Sequence, residues 1–234
     1  MDKYTIEPIG YIRSPYLEKF AVPRQPGLVT TATTQLQLIE PYNAQEIIDG
    51  IEQFSHYWLI FGFHQNQGWK NKVRPPRLGG NQKIGVFASR STFRPNGMGL
   101  SVLELSHIDY LSEGPCLSFH GGDLVNGTPV FDIKPYLDYA DHIEHTRAGY
   151  AAEAPTAKLD LQWSEIALRQ QKNLGLTSND IRLIEDVLRQ DPRPSYRYKP
   201  GKADHHHYGV QLIRFNIRFI VTGEQCQIIE ISPL

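Results

Sequence analysis

Short strand-like segments separated by Gly and Pro turns fill the first 150 residues of this 234-residue chain. Apolar and polar side chains alternate in Gln35–Glu40, whereas Tyr57–Phe63 is a continuous apolar run. Alternation predicts a half-buried strand, and a short apolar run predicts a strand buried on both faces. Many short strands around a single helical segment favour a sandwich or a barrel. We therefore predict a mainly β N-terminal part.

The same stretch holds four further predicted strands and one predicted helix. The strands are Tyr4–Arg13, Lys83–Ala88, Leu100–Asp109 and Pro115–Gly121. The helix is Asn43–Phe54, because its isoleucines recur at helical spacing and Asn43 is a suitable N-cap. No repeat unit interrupts this pattern, which predicts one β-rich domain.

The pattern changes after Gly149, where helical periodicity becomes common. Beyond it we predict a strand at Lys158–Trp163, helices at Ser164–Asn173 and Ser178–Gln190 with Ser178 as a cap, a long strand at Tyr208–Val221 and a last strand at Gln225–Ile231. The sequence therefore predicts two domains, a β-rich domain of residues 1–152 and a small α+β domain of residues 153–234.

Charge is distributed unevenly, although the net charge is only −1. Residues 53–103 contain no Asp or Glu. Folded surfaces usually mix both signs, so a stretch of one sign predicts a field directed at an anionic partner such as a nucleic acid. The stretch contains seven cations: Lys70, Lys72, Arg74, Arg77, Lys83, Arg90 and Arg94.

Several common site types are missing from the sequence. It has no GxGxxG after a strand, no P-loop and no GxSxG elbow. Cys116 and Cys226 do not form a CxxC pair, and His205–His207 would point in different directions along a strand, so we expect no metal site. With no 20-residue apolar run and no signal segment, we expect a cytoplasmic protein without a membrane anchor.

Polar residues gather in four turns of the N-terminal part. These are Pro23–Gly27, His64–Gln65, Arg90–Asn96 and Gly121–Thr128. Arginine can fork onto a carboxylate or phosphate, aspartate can accept from hydroxyls or an ammonium, and glycine permits close approach of the backbone. The four turns together predict a site for a small zwitterionic or anionic ligand.

Six blocks of the sequence resemble one protein family. They are PRQPGL (Pro23–Leu28), FSH with WLIF and FHQ (Phe54–Gln65), VRPPRLGGN (Val73–Asn81), GVFASRSTFRPN (Gly85–Asn96), DLVNGTPVFDIKPY (Asp123–Tyr136) and DPRPSYR (Asp191–Arg197). In this order, over nearly the whole chain, they are similar to the TsaA-like (TrmO) family of tRNA methyltransferases. One departure is Gly97-Met98-Gly99, where related sequences often carry Pro-Ile-Gly; it should alter loop stiffness and not chemistry.

The resemblance implies a fold and an activity. The fold is a β-barrel unlike the Rossmann-type methyltransferases, and the assembly is a homodimer. The reaction uses S-adenosylmethionine to methylate N6 of N6-threonylcarbamoyladenosine, beside the anticodon of tRNA. The residues implied at the cofactor site are Pro23, Arg24, Gln25, His64, Gln65, Arg90, Leu100, Asp123, Leu124, Val125, Asn126, Gly127 and Thr128.

For the RNA and the chemistry, alternatives stay open. Arg74, Arg77 and Lys83 would neutralise phosphates, Phe93, Trp69 or Tyr196 would stack on bases, and Arg94 or Lys134 would hold the threonyl carboxylate. The C-terminal domain would contribute Arg193, Tyr196 and Arg197 to tRNA binding. A general base must take the N6 proton, and the candidates are Asp123, Asp132 and His64.

Two other functions remain as alternatives. A non-catalytic RNA-binding module would explain the basic stretch but not the four polar turns. A metal-dependent nucleotide hydrolase would use the His205–His207 cluster. Binding of S-adenosylmethionine separates the first alternative from an enzyme, and resistance of the activity to chelation separates the second.

Overall fold

The N-terminal half is built around six antiparallel strands. A computed structural model describes residues 3–78, 82–155, 159–194 and 204–234. The first eight strands are β1 (Gly10–Arg13), β2 (Thr33–Leu38), β3 (His56–Gly62), β4 (Lys72–Val73), β5 (Ile84–Gly85), β6 (Met98–Leu111), β7 (Gly114–His120) and β8 (Pro129–Pro135). Six of them pair in the order β1-β2-β7-β6-β3-β8. Since β8 pairs back onto β1 with Gly10 opposite Val130, the sheet closes into a barrel.

Alternation along the strands fills the barrel interior. Tyr57, Leu59 and Phe61 of β3 are buried in one apolar cluster with Leu36 of β2 and Leu117 of β7. Successive side chains of a strand point to opposite faces, so the residues between them on β3 face outward. The short β4–β5 hairpin stands apart from the barrel, inside the acid-free stretch of residues 53–103.

The C-terminal part is a four-stranded sheet with two helices. Its elements are β9 (Asp160–Trp163), α2 (Glu165–Asn173), α3 (Ser178–Arg189), β10 (Asp204–Leu212), β11 (Phe215–Thr222) and β12 (Gln225–Pro233); a four-residue helix, α1 (Asp138–Asp141), precedes them. The sheet order is β10-β11-β12-β9, with β9 parallel to β12. The predicted mainly β class is confirmed, and so are both long helices.

The segment between β1 and β2 packs against the C-terminal part. Tyr16, Ala21, Val29 and Ala32 belong to the apolar cluster that also contains the inner faces of α3 and β11. The hydroxyl of Thr31 donates to Asp186 of α3 at 2.9 Å. These contacts fix the turn that contains Pro23–Gln25 between the two sheets.

The predicted helix over residues 43–54 is wrong. The chain instead forms two 3₁₀ turns, Gln45–Ile48 and Ile51–Gln53, separated by Gly50 at φ 79°. A residue in the left-handed region cannot continue a right-handed helix, so Gly50 divides the segment. Asn43 is not the cap, because its amide donates to the carbonyl of Glu113 at 3.0 Å.

The predicted single strand Tyr208–Val221 is a hairpin. Leu212 of β10 pairs with Phe215 of β11, which leaves Ile213 and Arg214 as the turn. Ile213 has φ 61°, a value that β-branched residues rarely adopt. The sequence therefore carries no turn signal here, and the apolar alternation runs on through the turn.

Three smaller predictions also needed adjustment. The strand expected at Tyr4–Arg13 begins only at Gly10, and the one expected at Lys83–Ala88 is the two-residue β5 followed by a 3₁₀ turn, Val86–Ala88. Thr177, not Ser178, caps α3, in a capping box with Asp180.

Within the described residues, no helix has both the length and the apolar character needed to cross a membrane.

Candidate functional site

A cavity of about 880 Å³ opens on the outside of the barrel, where strands β3 and β6 meet three polar loops. Its floor is the outer face of these strands. Trp58 and Ile60 alternate with the core residues of β3, and their cross-strand partners on β6 are Val102 and Leu100. Such a volume falls within the usual range for a site that encloses a small organic ligand.

The turn at Asp123–Thr128 forms one polar wall, and backbone hydrogen bonds hold it on both sides. Asn126 and Gly127 donate their backbone N–H groups to the carbonyls of Tyr16 and Ile12, at 2.8 and 2.7 Å. Gly127 has φ 78°, which favours glycine at this position. The turn is therefore rigid before any ligand binds.

Asp123 is the most perturbed acid of the cavity. Its Oδ1 accepts a hydrogen bond of 2.8 Å from the hydroxyl of Ser101 on β6. Burial raises the pKa of Asp123 to about 6, although this hydrogen bond and the charge of Arg90 both lower it. Raised carboxyl pKa values are typical of groups that exchange protons near neutral pH.

This raised pKa predicts a stabilising substitution. Between the ordinary pKa of 3.8 and the folded value of about 6, the folded state binds more protons than the unfolded state, so stability falls as pH rises through this window. At pH 8 Asp123 is ionised in both states, so the full free-energy cost of burying its charge is present. Asp123→Asn removes this charge and should raise the free energy of unfolding by up to about 3 kcal/mol. At pH 4 the variant and the parent should have nearly equal free energies of unfolding. Urea unfolding at both pH values measures the difference. Asp132→Asn on the exposed face of β8 is the control, and a less stable Asp123→Asn protein at pH 8 would contradict the account.

A second wall carries His64 and Gln65, directly after β3. The backbone N–H of Phe63 donates to the carbonyl of Gly97 at 2.7 Å, which fixes the point where the chain leaves the strand. Desolvation lowers the pKa of His64 below its usual value, so its ring is neutral at physiological pH. A neutral imidazole can accept a proton, so His64 stays chemically competent as a base.

Arg90 joins the third wall to the turn that precedes β2. Its guanidinium donates to the side-chain oxygen of Gln25, in the Pro23–Pro26 turn. Arg94 lies nearby and donates to the carbonyl of Ser89 at 2.7 Å. Among the described residues, no ion pair within 4.0 Å involves either arginine, so both charges remain available to an anionic ligand group.

The structure brings most of the predicted cofactor residues to this cavity. Eleven of them line it: Pro23, Arg24, Gln25, His64, Gln65, Arg90, Leu100, Asp123, Leu124, Val125 and Thr128. Asn126 and Gly127 do not line it and instead hold the turn. Asp132 also lies off the cavity; it is exposed on β8, opposite Ile60.

The predicted RNA-binding residues that the structure describes are exposed, line the cavity or are buried. Arg74, Arg77, Lys83 and Lys134 are exposed, while Arg94 lines the cavity. Arg193 is not presented to solvent: it is buried, and its guanidinium binds both carboxylate oxygens of Asp191 at 2.7 and 2.9 Å. Arg193 therefore stabilises its own loop, and its buried side chain is not placed to contact a phosphate of the RNA. Tyr196 and Arg197 lie outside the described residues, as does the side chain of His205.

Sequence reasoning missed the apolar floor and Ser101. Trp58 and Ile60 were assigned with the rest of Tyr57–Phe63 to a strand buried on both faces, which left no face for a ligand. The sequence did contain a signal for this face: Tyr57–Phe63 is apolar on both faces, although the outer face of an antiparallel sheet is usually polar.

Among the described residues, no group of three or more His, Cys, Asp or Glu side chains is arranged to hold a metal ion.

Comparison with known proteins identifies the family. The model of the tRNA-methyltransferase O N-terminal domain matches residues 11–142, and that of the TrmO C-terminal domain matches residues 156–234. The chain belongs to the TrmO family. The TrmO membership expected from the six sequence blocks is thus confirmed, together with the prediction of a methyltransferase that uses S-adenosylmethionine.

Individual relatives match most or all of the chain. The tRNA (adenine(37)-N6)-methyltransferase of Escherichia coli is 46% identical over 236 residues, which cover 100% of both chains. A putative S-adenosylmethionine-dependent methyltransferase, RcsF, of Pseudomonas aeruginosa is 48% identical over 89% of each chain. The crystal structure of TrmO from P. aeruginosa superposes with a TM-score of 0.77 at 37% identity, covering 100% of this chain and 99% of that one.

The cavity fits the cofactor of this family. S-adenosylmethionine carries a carboxylate, an ammonium, ribose hydroxyls and an adenine ring. The cavity offers Arg90 for a carboxylate, Asp123 for an ammonium or hydroxyls, and the face of Trp58 and Ile60 for a flat apolar ring. The walls thus carry side chains of suitable charge for the polar end of the ligand, and the floor carries an apolar surface for its ring.

Proposed function

We propose that this protein methylates N6 of N6-threonylcarbamoyladenosine beside the anticodon of tRNA, giving the N6-methylated form of that nucleoside. The observation that carries the proposal is the cavity itself, which is lined by Asp123, a carboxylate of raised pKa, and by Arg90 and Arg94 of the acid-free stretch. A base and cations are what a urea-like nucleophile with an attached carboxylate requires.

The residues of the cavity divide between holding and reacting. The turn at Pro23–Gln25, His64–Gln65, Arg90, Leu124, Val125 and Thr128 would hold S-adenosylmethionine, which supplies an electrophilic methyl group when bound. The volume of about 880 Å³ also leaves room for the target base. Orientation of two reactants can lower a reaction barrier by roughly 7–11 kcal/mol. Holding the methyl donor and the target nitrogen in line should supply several kcal/mol of this.

Asp123 is the base that the geometry favours among the three candidates. The N6 proton must leave because the lone pair of a urea-like nitrogen is delocalised. Asp123 lines the cavity, is fixed by Ser101 and has a pKa near 6, whereas Asp132 lies off the cavity. We assign proton acceptance to the Asp123 carboxylate and a supporting position to His64.

Arg94 is the cation that we assign to the threonyl carboxylate. It lines the cavity, and its guanidinium is held by the carbonyl of Ser89. Lys134, the other candidate, is exposed on β8 opposite Trp58 and does not line the cavity. A guanidinium can bind a carboxylate through two parallel hydrogen bonds, which favours Arg94 for recognising the modified base.

The tRNA body would lie across the exposed cations. Arg74, Arg77 and Lys83 are exposed beside the cavity loops, and none of the ion pairs between described residues involves them. We further propose that the protein acts as a cytoplasmic homodimer with domains at residues 1–152 and 153–234. Light scattering at working concentration tests the dimer.

Arg90→Ala should weaken cofactor binding by about 10-fold or more while changing tRNA affinity less, because the variant loses a charge-assisted hydrogen bond inside the cavity. Calorimetry with S-adenosylmethionine measures the first effect and filter binding the second. Lys83→Ala removes a cation of the same stretch outside the cavity and is the control. Normal cofactor affinity in Arg90→Ala would refute its assignment.

Mass spectrometry of tRNA nucleosides tests the proposed function in cells. Cells that lack this protein should lose the N6-methylated nucleoside and accumulate N6-threonylcarbamoyladenosine. Reintroduction of the parent protein should restore the methylated form, and reintroduction of Asp123→Asn should not. An unchanged nucleoside profile in the deletion strain would argue against the function.

A further inference from the structure

One aromatic side chain, close in sequence to residues that line the cavity, is largely exposed. Phe87 has a relative exposure of 77%, the highest of the described phenylalanines, of which Phe20 follows at 51%. It lies in the 3₁₀ turn Val86–Ala88, inside the acid-free stretch. Single exposed apolar residues are common, so exposure by itself assigns no role to Phe87.

The turn that carries Phe87 is braced from several sides. Val86 is buried and donates its backbone N–H to the carbonyl of Asn71 at 3.0 Å. Its own carbonyl accepts from the hydroxyl of Ser89 at 2.8 Å, and Arg94 donates to the carbonyl of Ser89 at 2.7 Å. The ring is therefore held outward by a rigid support, which lowers the entropy lost when a partner packs on it.

One cation lies beside this ring, and another lies beside the ring of Phe93 in the same stretch. The guanidinium carbon of Arg94 lies 5.9 Å from the centre of the Phe87 ring, and the ammonium of Lys70 lies 4.3 Å from the centre of the Phe93 ring. Ser89, Arg90 and Arg94, just after the turn, line the cavity. Phe87 thus lies at the edge of the site, in cationic surroundings.

An exposed ring on a rigid support among cations matches the chemistry of single-stranded nucleic acid. Bases stack on aromatic side chains while nearby cations hold the phosphates. A largely apolar interface between copies of this chain suits Phe87 less well, because the exposed cations Lys83 and Arg90 flank it in the sequence.

We propose that Phe87 is a stacking platform for an unpaired base of the RNA next to the methylated nucleoside. This inference rests on the proposed function, since it takes tRNA as the substrate. Phe87 positions the RNA by holding a neighbouring base while the target base enters the cavity. It touches neither the cofactor nor the reacting atoms.

Steady-state kinetics of Phe87→Ala with tRNA that carries N6-threonylcarbamoyladenosine test the proposal. Loss of one stacked base should raise the KM for tRNA by about 5- to 150-fold, with kcat at saturating RNA nearly unchanged. Phe87→Trp should retain the parent KM within a few-fold. Tyr110→Ala, which removes a 60%-exposed aromatic at the far end of β6, should behave as the parent. Calorimetry should give the parent affinity for S-adenosylmethionine in every variant.

A synthetic anticodon stem-loop with an abasic nucleotide on either side of the target separates stacking from other effects. The abasic RNA should bind the parent protein more weakly at one of the two positions, and Phe87→Ala should bind that RNA and the intact RNA equally. An unchanged KM in Phe87→Ala would overturn the proposal. So would a change in its oligomeric state by light scattering, which would assign Phe87 to an interface between copies.

Failure of this inference is distinguishable from failure of the proposed function. If the parent protein does not methylate the RNA, the proposed function fails. Fluorescence anisotropy with the same stem-loops then still compares binding by the parent and by Phe87→Ala. Equal affinities in that assay would contradict the stacking role independently of catalysis.

Discussion

Methyl transfer by Asp123→Asn is expected to be slower than by the parent protein by about 10²–10⁴-fold in kcat, the usual contribution of a general base. Asparagine has nearly the same shape and can still accept the hydrogen bond from Ser101, so the turn should keep its structure. It cannot accept a proton. Single-turnover kinetics with saturating cofactor and tRNA measure the chemical step directly.

The pH dependence of the same step distinguishes Asp123 from His64. In the parent protein the rate should fall as pH drops below about 6, where the Asp123 carboxylate becomes protonated. Asp123→Asn should lose this limb of the profile, whereas His64→Gln should keep it. A variant that raises the Kd for S-adenosylmethionine but leaves kcat intact would instead assign Asp123 to cofactor binding alone.

Charge reversal at Arg74 and Arg77 is expected to lower tRNA affinity on the order of 10- to 100-fold at low salt. Both side chains are exposed, and each neutralised phosphate adds about 0.7–0.9 to the slope of log affinity against log salt concentration. The slope of the Arg74→Glu/Arg77→Glu protein should therefore fall by about 1.4–1.8. Filter binding at several salt concentrations gives both quantities.

A matched control changes the same number of charges elsewhere. Arg169→Glu/Lys172→Glu on α2 alters the net charge equally but lies outside the acid-free stretch. It should lower affinity only slightly and leave the salt slope close to that of the parent. Equal slopes in the parent and in Arg74→Glu/Arg77→Glu would mean that the basic stretch faces something other than RNA.

Local sequence signals predicted the elements that rest on local physics. The apolar face of α3 and the alternation in β2 and β11 are properties of a few neighbouring residues. The residues of the cofactor site were implied by the resemblance of six sequence blocks to the TrmO family. Eleven of those residues line one cavity.

The failures arise where distant contacts decide. Ile213 adopts a positive φ in a hairpin turn whose backbone is bonded to the carbonyl of Pro15 at 2.8 Å, and no nearby residue signals this. Arg193 was expected to contribute to tRNA binding, but it is buried and bonded to Asp191, which only the folded loop reveals. Asp132 and Asp123 could not be ranked from sequence, since burial and Ser101 distinguish them only in the folded chain.

The most direct test of the central claim is transfer of a labelled methyl group from S-adenosylmethionine to purified tRNA by the purified protein. Two preparations of the same tRNA are compared, one with and one without the threonylcarbamoyl group on the target adenosine. The account predicts label only in the threonylcarbamoylated nucleoside, in the parent protein and not in Asp123→Asn. Label in the unmodified adenosine, or in neither preparation, would contradict it.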